Sequence, residues 1–259
     1  MKRSEPSASD LIQKARRDRD PSLAKLAAKK FEEEGDMPKR TACLFFLGEL
    51  RFSAGAIKEA ATHFIECRES YRELDLRKEE AQCLLKLSRC SAFLRNEPDF
   101  SSEQTFLDEA LVLAKDTGEK GLEVECLVLL GASLRHEQAD LAMSKYAEAL
   151  KLIEAEKNNW LSGICHQSLG HLYAGQTDNW TARKHYLQAL SHFEECSAED
   201  ATLLAQKQAQ CCESIGDLAL REGDEDEAKD RYVEAAEKLQ GKPTSTQRLV
   251  DKIQQLSDS

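Results

Sequence analysis

Proline and glycine are scarce in this sequence of 259 residues, which contains only five prolines and twelve glycines. Aromatic residues make up 6%, and no stretch alternates β-branched or aromatic residues with polar ones at the period of two that a strand requires. Alanine, leucine, glutamate, lysine, glutamine and arginine dominate instead, and these residues favour helices. The composition therefore predicts an all-α protein.

Long apolar runs are also missing. None approaches the roughly 18 residues of a membrane-spanning helix, and the segment Met1–Pro6 is not followed by the apolar core of a signal peptide. We therefore expect a cytoplasmic chain that does not insert into a membrane. The formal net charge of −11 argues against nucleic acid as a partner, because phosphate contacts require a basic face.

Motifs for catalysis or metal binding are absent as well. The nine cysteines include no C-x-x-C pair, so they predict free thiols in a reducing compartment and no zinc or disulfide framework. His185 and His192 can share a helix face, but no carboxylates accompany them to complete a metal site. The sequence has no Gly-rich phosphate loop, no nucleophile elbow and no H-E-x-x-H. It therefore predicts a protein that is not an enzyme and needs no metal or cofactor.

What the chain does contain is an internal repeat, which is the first feature to seek in a helical sequence. Gly170 is followed by Ala182, Tyr186 and Ala189 at intervals of 12, 4 and 3 residues. The same intervals recur twice. A fourth copy is one residue shorter in the turn, and a fifth is degenerate, with Glu103 and Leu107 at the alanine and aromatic positions and three extra residues around Pro98. These four other copies start at Gly216, Gly48, Gly131 and Ser88, and each starting residue follows a leucine or isoleucine.

The spacing has a physical explanation in helix packing. A small residue after leucine allows the first helix of each pair to approach the second closely. An alanine in the second helix permits the crossing, and a tyrosine or phenylalanine one turn later fills the space between the helices. Turn residues agree with this, since Gly55, Gly175 and Gly223 fall between the two helices of their pairs and Asp178 and Asp224 are suited to N-caps.

This pattern resembles the tetratricopeptide repeat over roughly residues 41–240. Successive starting residues lie 40, 43, 39 and 46 positions apart, which is similar to the long-repeat members such as the kinesin light chain and the Pins-type polarity adaptors. The early tryptophan of the family consensus and most of its closing prolines are absent here. The resemblance implies a right-handed superhelical solenoid of antiparallel helix pairs with a concave groove.

The repeat divides the chain into three parts. Residues 37–240 are predicted to form about five helix pairs, and residues 1–36 a degenerate repeat or capping helices. Residues 241–259 are predicted to form a C-terminal capping helix, which would cover the last open apolar face of the solenoid.

The resemblance also implies which residues face the groove, where family members bind a partner peptide or helix. We expect apolar side chains to supply affinity there, and Arg89 and Arg135 to orient an acidic group. The residues at the groove positions are Phe45, Glu49, Phe52, Leu85, Arg89, Phe93, Arg135, His136, Gln167, His171, Glu213 and Asp217.

Two alternatives to this peptide-binding adaptor follow from the same residues. One is a structural subunit of a multiprotein assembly that uses its convex face or its ends. The other is an adaptor for the C-terminal tail of heat-shock chaperones, which some family members bind with a clamp of lysines, asparagines and an arginine. Phe45, Glu49 and Val128 stand at three of the clamp positions, so a chaperone tail is not expected as the partner.

Overall fold

The computed structural model describes residues 6–94, 103–196, 201–239 and 243–257. Within these ranges the chain is all-α, with thirteen helices and no strand. The helices are α1 (Ala8–Asp18), α2 (Pro21–Glu33), α3 (Met37–Ser53), α4 (Ile57–Glu73), α5 (Arg77–Phe93), α6 (Glu103–Thr117), α7 (Lys120–Leu134), α8 (Ala139–Glu156), α9 (Asn159–Gly175), α10 (Asn179–Glu194), α11 (Ala201–Glu222), α12 (Glu225–Lys238) and α13 (Pro243–Ser257). None of these helices is both long enough and apolar enough to cross a membrane.

The chain forms two compact units. Unit 1 comprises Met1–Cys126 and unit 2 comprises Leu127–Ser259. In each unit, helices that follow one another in sequence also pack against one another, as α3 does on α4 and α9 on α10. Each unit is therefore a stack of helix pairs, and the core lies between the helices of each pair and between neighbouring pairs.

The contact predicted at the start of the repeats is confirmed in the four copies that begin with glycine. A Cβ atom added to Gly48 would lie 2.7 Å from Phe64, and one added to Gly131 would lie 2.6 Å from Tyr146. The same relation joins Gly170 to Tyr186 at 2.5 Å and Gly216 to Tyr232 at 2.7 Å. Only glycine leaves room for the aromatic ring at these positions, so the spacing of the repeat is set by the packing of each pair.

The turns follow the prediction at two of three glycines. Gly55 and Gly223 adopt φ values of +77° and +83°, which residues with a side chain rarely adopt. At the third turn the prediction is wrong, because Gly175 continues helix α9 and Thr177 takes the left-handed conformation with φ 62°. Asp178 is still the N-cap of α10, where its side chain accepts a hydrogen bond from the backbone of Thr181.

Candidate functional site

In unit 1, aromatic side chains collect on α3 and α5, the first helices of two successive pairs. The ring centroids of Phe52 and Phe93 lie 5.8 Å apart, edge to face, and those of Phe45 and Phe64 lie 5.3 Å apart. Phe93 is 69% exposed, whereas Phe64 is buried in the core. Phe45, Phe52 and Phe93 together are called the aromatic face below.

Ion pairs between neighbouring first helices border the aromatic face. Lys86 on α5 donates to Glu49 on α3 at 2.6 Å, and its ammonium lies 5.7 Å from the centre of the Phe45 ring. Arg89 donates to Glu125 on α7 at 2.5 Å. Arg89 therefore has an acidic partner already, but the pair is solvent-exposed and contributes only about 0–1 kcal/mol.

A small pocket of about 210 Å³ opens beside this face. It is lined by Glu49, Phe52, Ser53, Phe64, Lys86 and Arg89. The predicted residues Phe45, Glu49, Phe52, Arg89 and Phe93 thus lie on one surface of unit 1. Leu85 does not contribute to that surface, because only 3% of it is exposed.

In unit 2, polar side chains line a pocket of about 380 Å³ between the end of α7, α9 and α11. Two of them are arginines. Arg135 donates from Nε to Nε2 of His136 at 3.0 Å, and Arg221 donates to the backbone carbonyl of Ala174 at 3.4 Å. Neither guanidinium lies within ion-pair distance of a carboxylate in the part of the chain that the structure describes. We call this pocket, with Arg135, His136, His171, Ser214 and Arg221, the arginine pocket.

A hydrogen bond between Tyr186 and His171 lies in the wall of the arginine pocket. The hydroxyl of Tyr186 lies 2.8 Å from Nδ1 of His171, and Ser214 lines the same pocket. Burial, followed by the charges of Arg135 and of a lysine on α11, lowers the pKa of His171 to about 4. Burial raises the pKa of Tyr186 to about 12. Both groups are therefore neutral near pH 7.

The acidic residues predicted for the end of the groove are paired with the C-terminal helix. Glu213 on α11 binds Arg248 at 2.5 Å and Lys252 at 2.9 Å, and Asp217 binds Lys252 at 2.7 Å. Tyr232 also donates its hydroxyl to Asp217 at 2.7 Å. The carboxylates are thus neutralised within unit 2, and α13 lies against this part of α11.

Gln167, the remaining predicted residue, is buried with 4% exposure. Its amide faces Lys207, Gln210 and Cys211 of α11. It therefore connects two successive first helices and presents little surface to a partner.

Three histidines of unit 2 form a stack that the sequence analysis did not anticipate. The ring of His166 lies parallel to those of His185 and His192, with centroids 5.2 and 5.4 Å away. Nδ1 of His166 is 3.0 Å from Nδ1 of His185, and burial followed by the charges of the other two rings lowers the pKa of His166 to about 4. No group of three or more histidine, cysteine or acidic side chains in the described ranges is arranged to hold a metal ion.

Sequence reasoning missed several residues that shape these surfaces. Three of them form ion pairs with residues 35 to 37 positions away in the sequence, namely Lys86, Glu125 and Arg248. No local sequence pattern predicts such pairs. Arg221 was not missed in this way, because its spacing of four residues after Asp217 predicts the same face of α11, and it lines the pocket.

No protein-family model and no curated protein sequence matches this chain. Solved structures match it in fold. NprR from B. thuringiensis, a quorum sensor, superposes with a TM-score of 0.62 at 15% identity, over 95% of this chain and 67% of NprR. A second NprR structure, with its cognate peptide NprX, gives a TM-score of 0.59.

Two further matches show the same likeness. Rap protein complexed with competence and sporulation factor superposes with a TM-score of 0.65 at 17% identity, over 78% of this chain and 55% of Rap. The signal transduction ATPase PH0952 from Pyrococcus horikoshii, which has a tetratricopeptide repeat sensor, gives a TM-score of 0.64 at 14% identity, over 95% of this chain and 41% of that protein. The chain spans about half of the Rap protein and two fifths of the ATPase.

Proposed function

Given its tetratricopeptide-type helical-repeat fold, we propose that this protein is a non-catalytic adaptor that binds a segment of a partner protein. The first helix of each pair contributes to the binding surface, and the aromatic face of unit 1 provides the apolar anchor. The observation that carries the proposal is the exposure of Phe93 beside Phe52. Phe52 is only partly buried, and an exposed aromatic side chain beside a second ring is typical of the centre of a protein interface.

The charges around the aromatic face favour a partner with an acidic residue next to an apolar one. Lys86 and Arg89 lie at the edge of the pocket that opens beside Phe52. Their present partners, Glu49 and Glu125, are partly exposed, so exchange with a partner's carboxylate changes the free energy little. Among the solved structures of similar fold, Rap is complexed with competence and sporulation factor and NprR with its cognate peptide NprX, which supports a peptide-binding role.

The cysteines support a cytoplasmic location for the adaptor. All nine are free thiols, and eight of them are buried as small apolar side chains. Proteins of oxidising compartments normally join such residues in disulfides. We therefore place the protein in a reducing compartment.

The proposal is tested by selecting peptides from a random display library on the immobilised full chain. The affinity of a selected peptide is then measured for the wild type and for Phe93→Ser. Loss of a central aromatic anchor typically costs about 2 kcal/mol or more, so Kd should rise at least about 30-fold. Phe93 is mostly outside the core, and the far-UV circular dichroism of the variant should match that of the wild type.

A second candidate function, a structural subunit that uses other surfaces, is favoured by Trp180. This residue lies on α10, the second helix of its pair, and is 74% exposed, with the ammonium of Lys184 5.9 Å from the ring centre. Trp180→Ser is thus the matched control for Phe93→Ser. Binding lost only in Phe93→Ser supports the adaptor. Binding lost only in Trp180→Ser, equal losses in both variants, or failure to select any peptide contradicts it.

A further inference from the structure

The arginine pocket of unit 2 contains several hydrogen-bond donors, and neither of its arginines is paired with a carboxylate of the described residues. Arg135 and Arg221 each retain guanidinium protons beyond the single hydrogen bond that each makes within the described residues. A guanidinium forms paired hydrogen bonds with a carboxylate or phosphate more readily than with any neutral group. Two such groups at one pocket are therefore suited to an anion with two or more oxygens.

The one carboxylate among the residues that line the pocket is already paired. Oδ1 of Asp217 accepts from Lys252 and from the hydroxyl of Tyr232, both at 2.7 Å. Lys252 also pairs with Glu213, which binds Arg248, so these two carboxylates and two cations carry no net charge and the two arginines leave the pocket positive. That charge persists near pH 7, because the guanidinium of arginine does not lose its proton in proteins.

The hydrogen bond in the pocket wall supplies a neutral donor. Burial raises the pKa of Tyr186 to about 12, so the phenol keeps its proton near pH 7. We assign the phenol as the donor to Nδ1 of the neutral His171, at 2.8 Å. In a neutral imidazole the other nitrogen carries the proton, so His171, which lines the pocket, is an N–H donor through Nε2.

From these contacts we propose that the arginine pocket is a binding site for an oxyanion of the partner protein, held by Arg135 and Arg221 with His171 as a third donor. This rests on the proposed adaptor function. The oxyanion is either a carboxylate or a phosphorylated side chain, since both present oxygens to paired guanidinium protons. The volume of about 380 Å³ accommodates either group together with part of the side chain that carries it.

The test uses the full chain with isotope-labelled histidine and follows the ring resonances of His136 and His171 by NMR. Inorganic phosphate or acetate is titrated at constant ionic strength. We expect saturable shifts at both rings. The apparent pKa of His171 should rise on saturation, because a nearby negative charge favours the imidazolium. Arg135→Gln and Arg221→Gln should each weaken binding at least about ten-fold, which corresponds to about 1.4 kcal/mol.

Arg17→Gln is the matched control, because it removes one positive charge from an exposed position of α1 in unit 1. It should leave the titration unchanged. Phosphate affinity well above acetate affinity would identify a phosphorylated side chain as the source, and similar affinities would identify a carboxylate. Shifts that do not saturate, or that persist in both pocket variants, would overturn the site. If peptide binding is lost in Phe93→Ser but retained in Arg135→Gln and Arg221→Gln, the adaptor function still holds. Each of the two proposals can therefore fail without the other.

Discussion

Replacing Gly170 with alanine tests whether the glycine–aromatic contact sets the geometry of each helix pair. A Cβ atom there would lie 2.5 Å from Cε1, 2.6 Å from Cδ1 and 2.9 Å from Cζ of Tyr186. These distances are far below van der Waals contact, so the tyrosine ring has to move. The ring is fully enclosed and its hydroxyl bonds His171 at 2.8 Å. Movement therefore strains the core or breaks that hydrogen bond.

The expected magnitude follows from opposing contributions. Forcing an extra methyl group into a packed core costs about 1–3 kcal/mol, and a lost neutral hydrogen bond costs about 1 kcal/mol more. Replacing glycine by alanine inside a helix stabilises the folded state by about 1 kcal/mol, because alanine has the higher helix propensity. The free energy of unfolding should therefore fall by about 1–3 kcal/mol in Gly170→Ala.

Gly175 provides the control within the same helix. It is the last residue of α9, and a Cβ atom added there meets nothing within 4 Å. Gly175→Ala should therefore leave stability unchanged or raise it by up to about 1 kcal/mol, since only the helix propensity changes. Urea unfolding followed by circular dichroism gives the free energy of unfolding of both variants. Gly175→Ala should be more stable than Gly170→Ala by at least about 1 kcal/mol.

The outcome that refutes this reasoning is an equal midpoint for Gly170→Ala and Gly175→Ala. A further check is the pair Gly170→Ala and Tyr186→Leu. The smaller leucine leaves room for the added methyl, so alanine should cost less in the Tyr186→Leu background than in the wild type. Additive effects would mean that the two side chains do not compete for the same space.

Three other perturbations give separate tests. Burial lowers the pKa of His166 and His171 to about 4. Below about pH 6.5 the unfolded chain therefore binds protons at these two histidines, whereas the folded chain does so only as the pH falls to about 4. Stability should be full above that pH and fall by about 1–2 kcal/mol per histidine near pH 5; a urea midpoint unchanged between pH 7.5 and 5 would contradict this. Cys196 is the one thiol of nine that is not buried, so a thiol reagent should modify it first in the native protein, and Cys196→Ser should abolish the fast phase. Lys252→Met keeps the aliphatic stem but removes the charge that binds two carboxylates of α11, so the unfolding free energy should fall by about 1 kcal/mol, whereas Lys184→Met should have no effect.

The core of each pair could be predicted from the sequence because its cause is local. The distance from Gly170 to Tyr186 along the chain is set by one helix turn, one short connection and the start of the next helix. The same residue types at the same intervals therefore meet in every pair that keeps the spacing. The turn at Thr177 could not be predicted in this way. Its left-handed conformation is unfavourable for a β-branched residue, and glycine two positions earlier was the more natural choice.

The charged surfaces were harder to predict because they depend on residues from successive repeats. Arg89 was expected to be available to a partner, and its pair with Glu125 arises only when α5 and α7 lie side by side. Glu213 and Asp217 were expected to form an acidic end, and α13 brings two cations to them. Helical spacing shows which residues share a face, but it does not show which charge the neighbouring helix presents.

The difference between the two surfaces also determines how they can be distinguished in a binding experiment. Under the proposed function, the aromatic face gains affinity chiefly from apolar area, which depends little on ionic strength, and its cations are already paired. Under the proposal for the arginine pocket, affinity there comes from unpaired charge, which salt weakens as the screening length shortens. A partner that uses both should lose only part of its affinity between low and high salt. The affinity of the Arg221→Gln variant should then depend less on salt than that of the wild type, because one of the charges that salt screens has been removed.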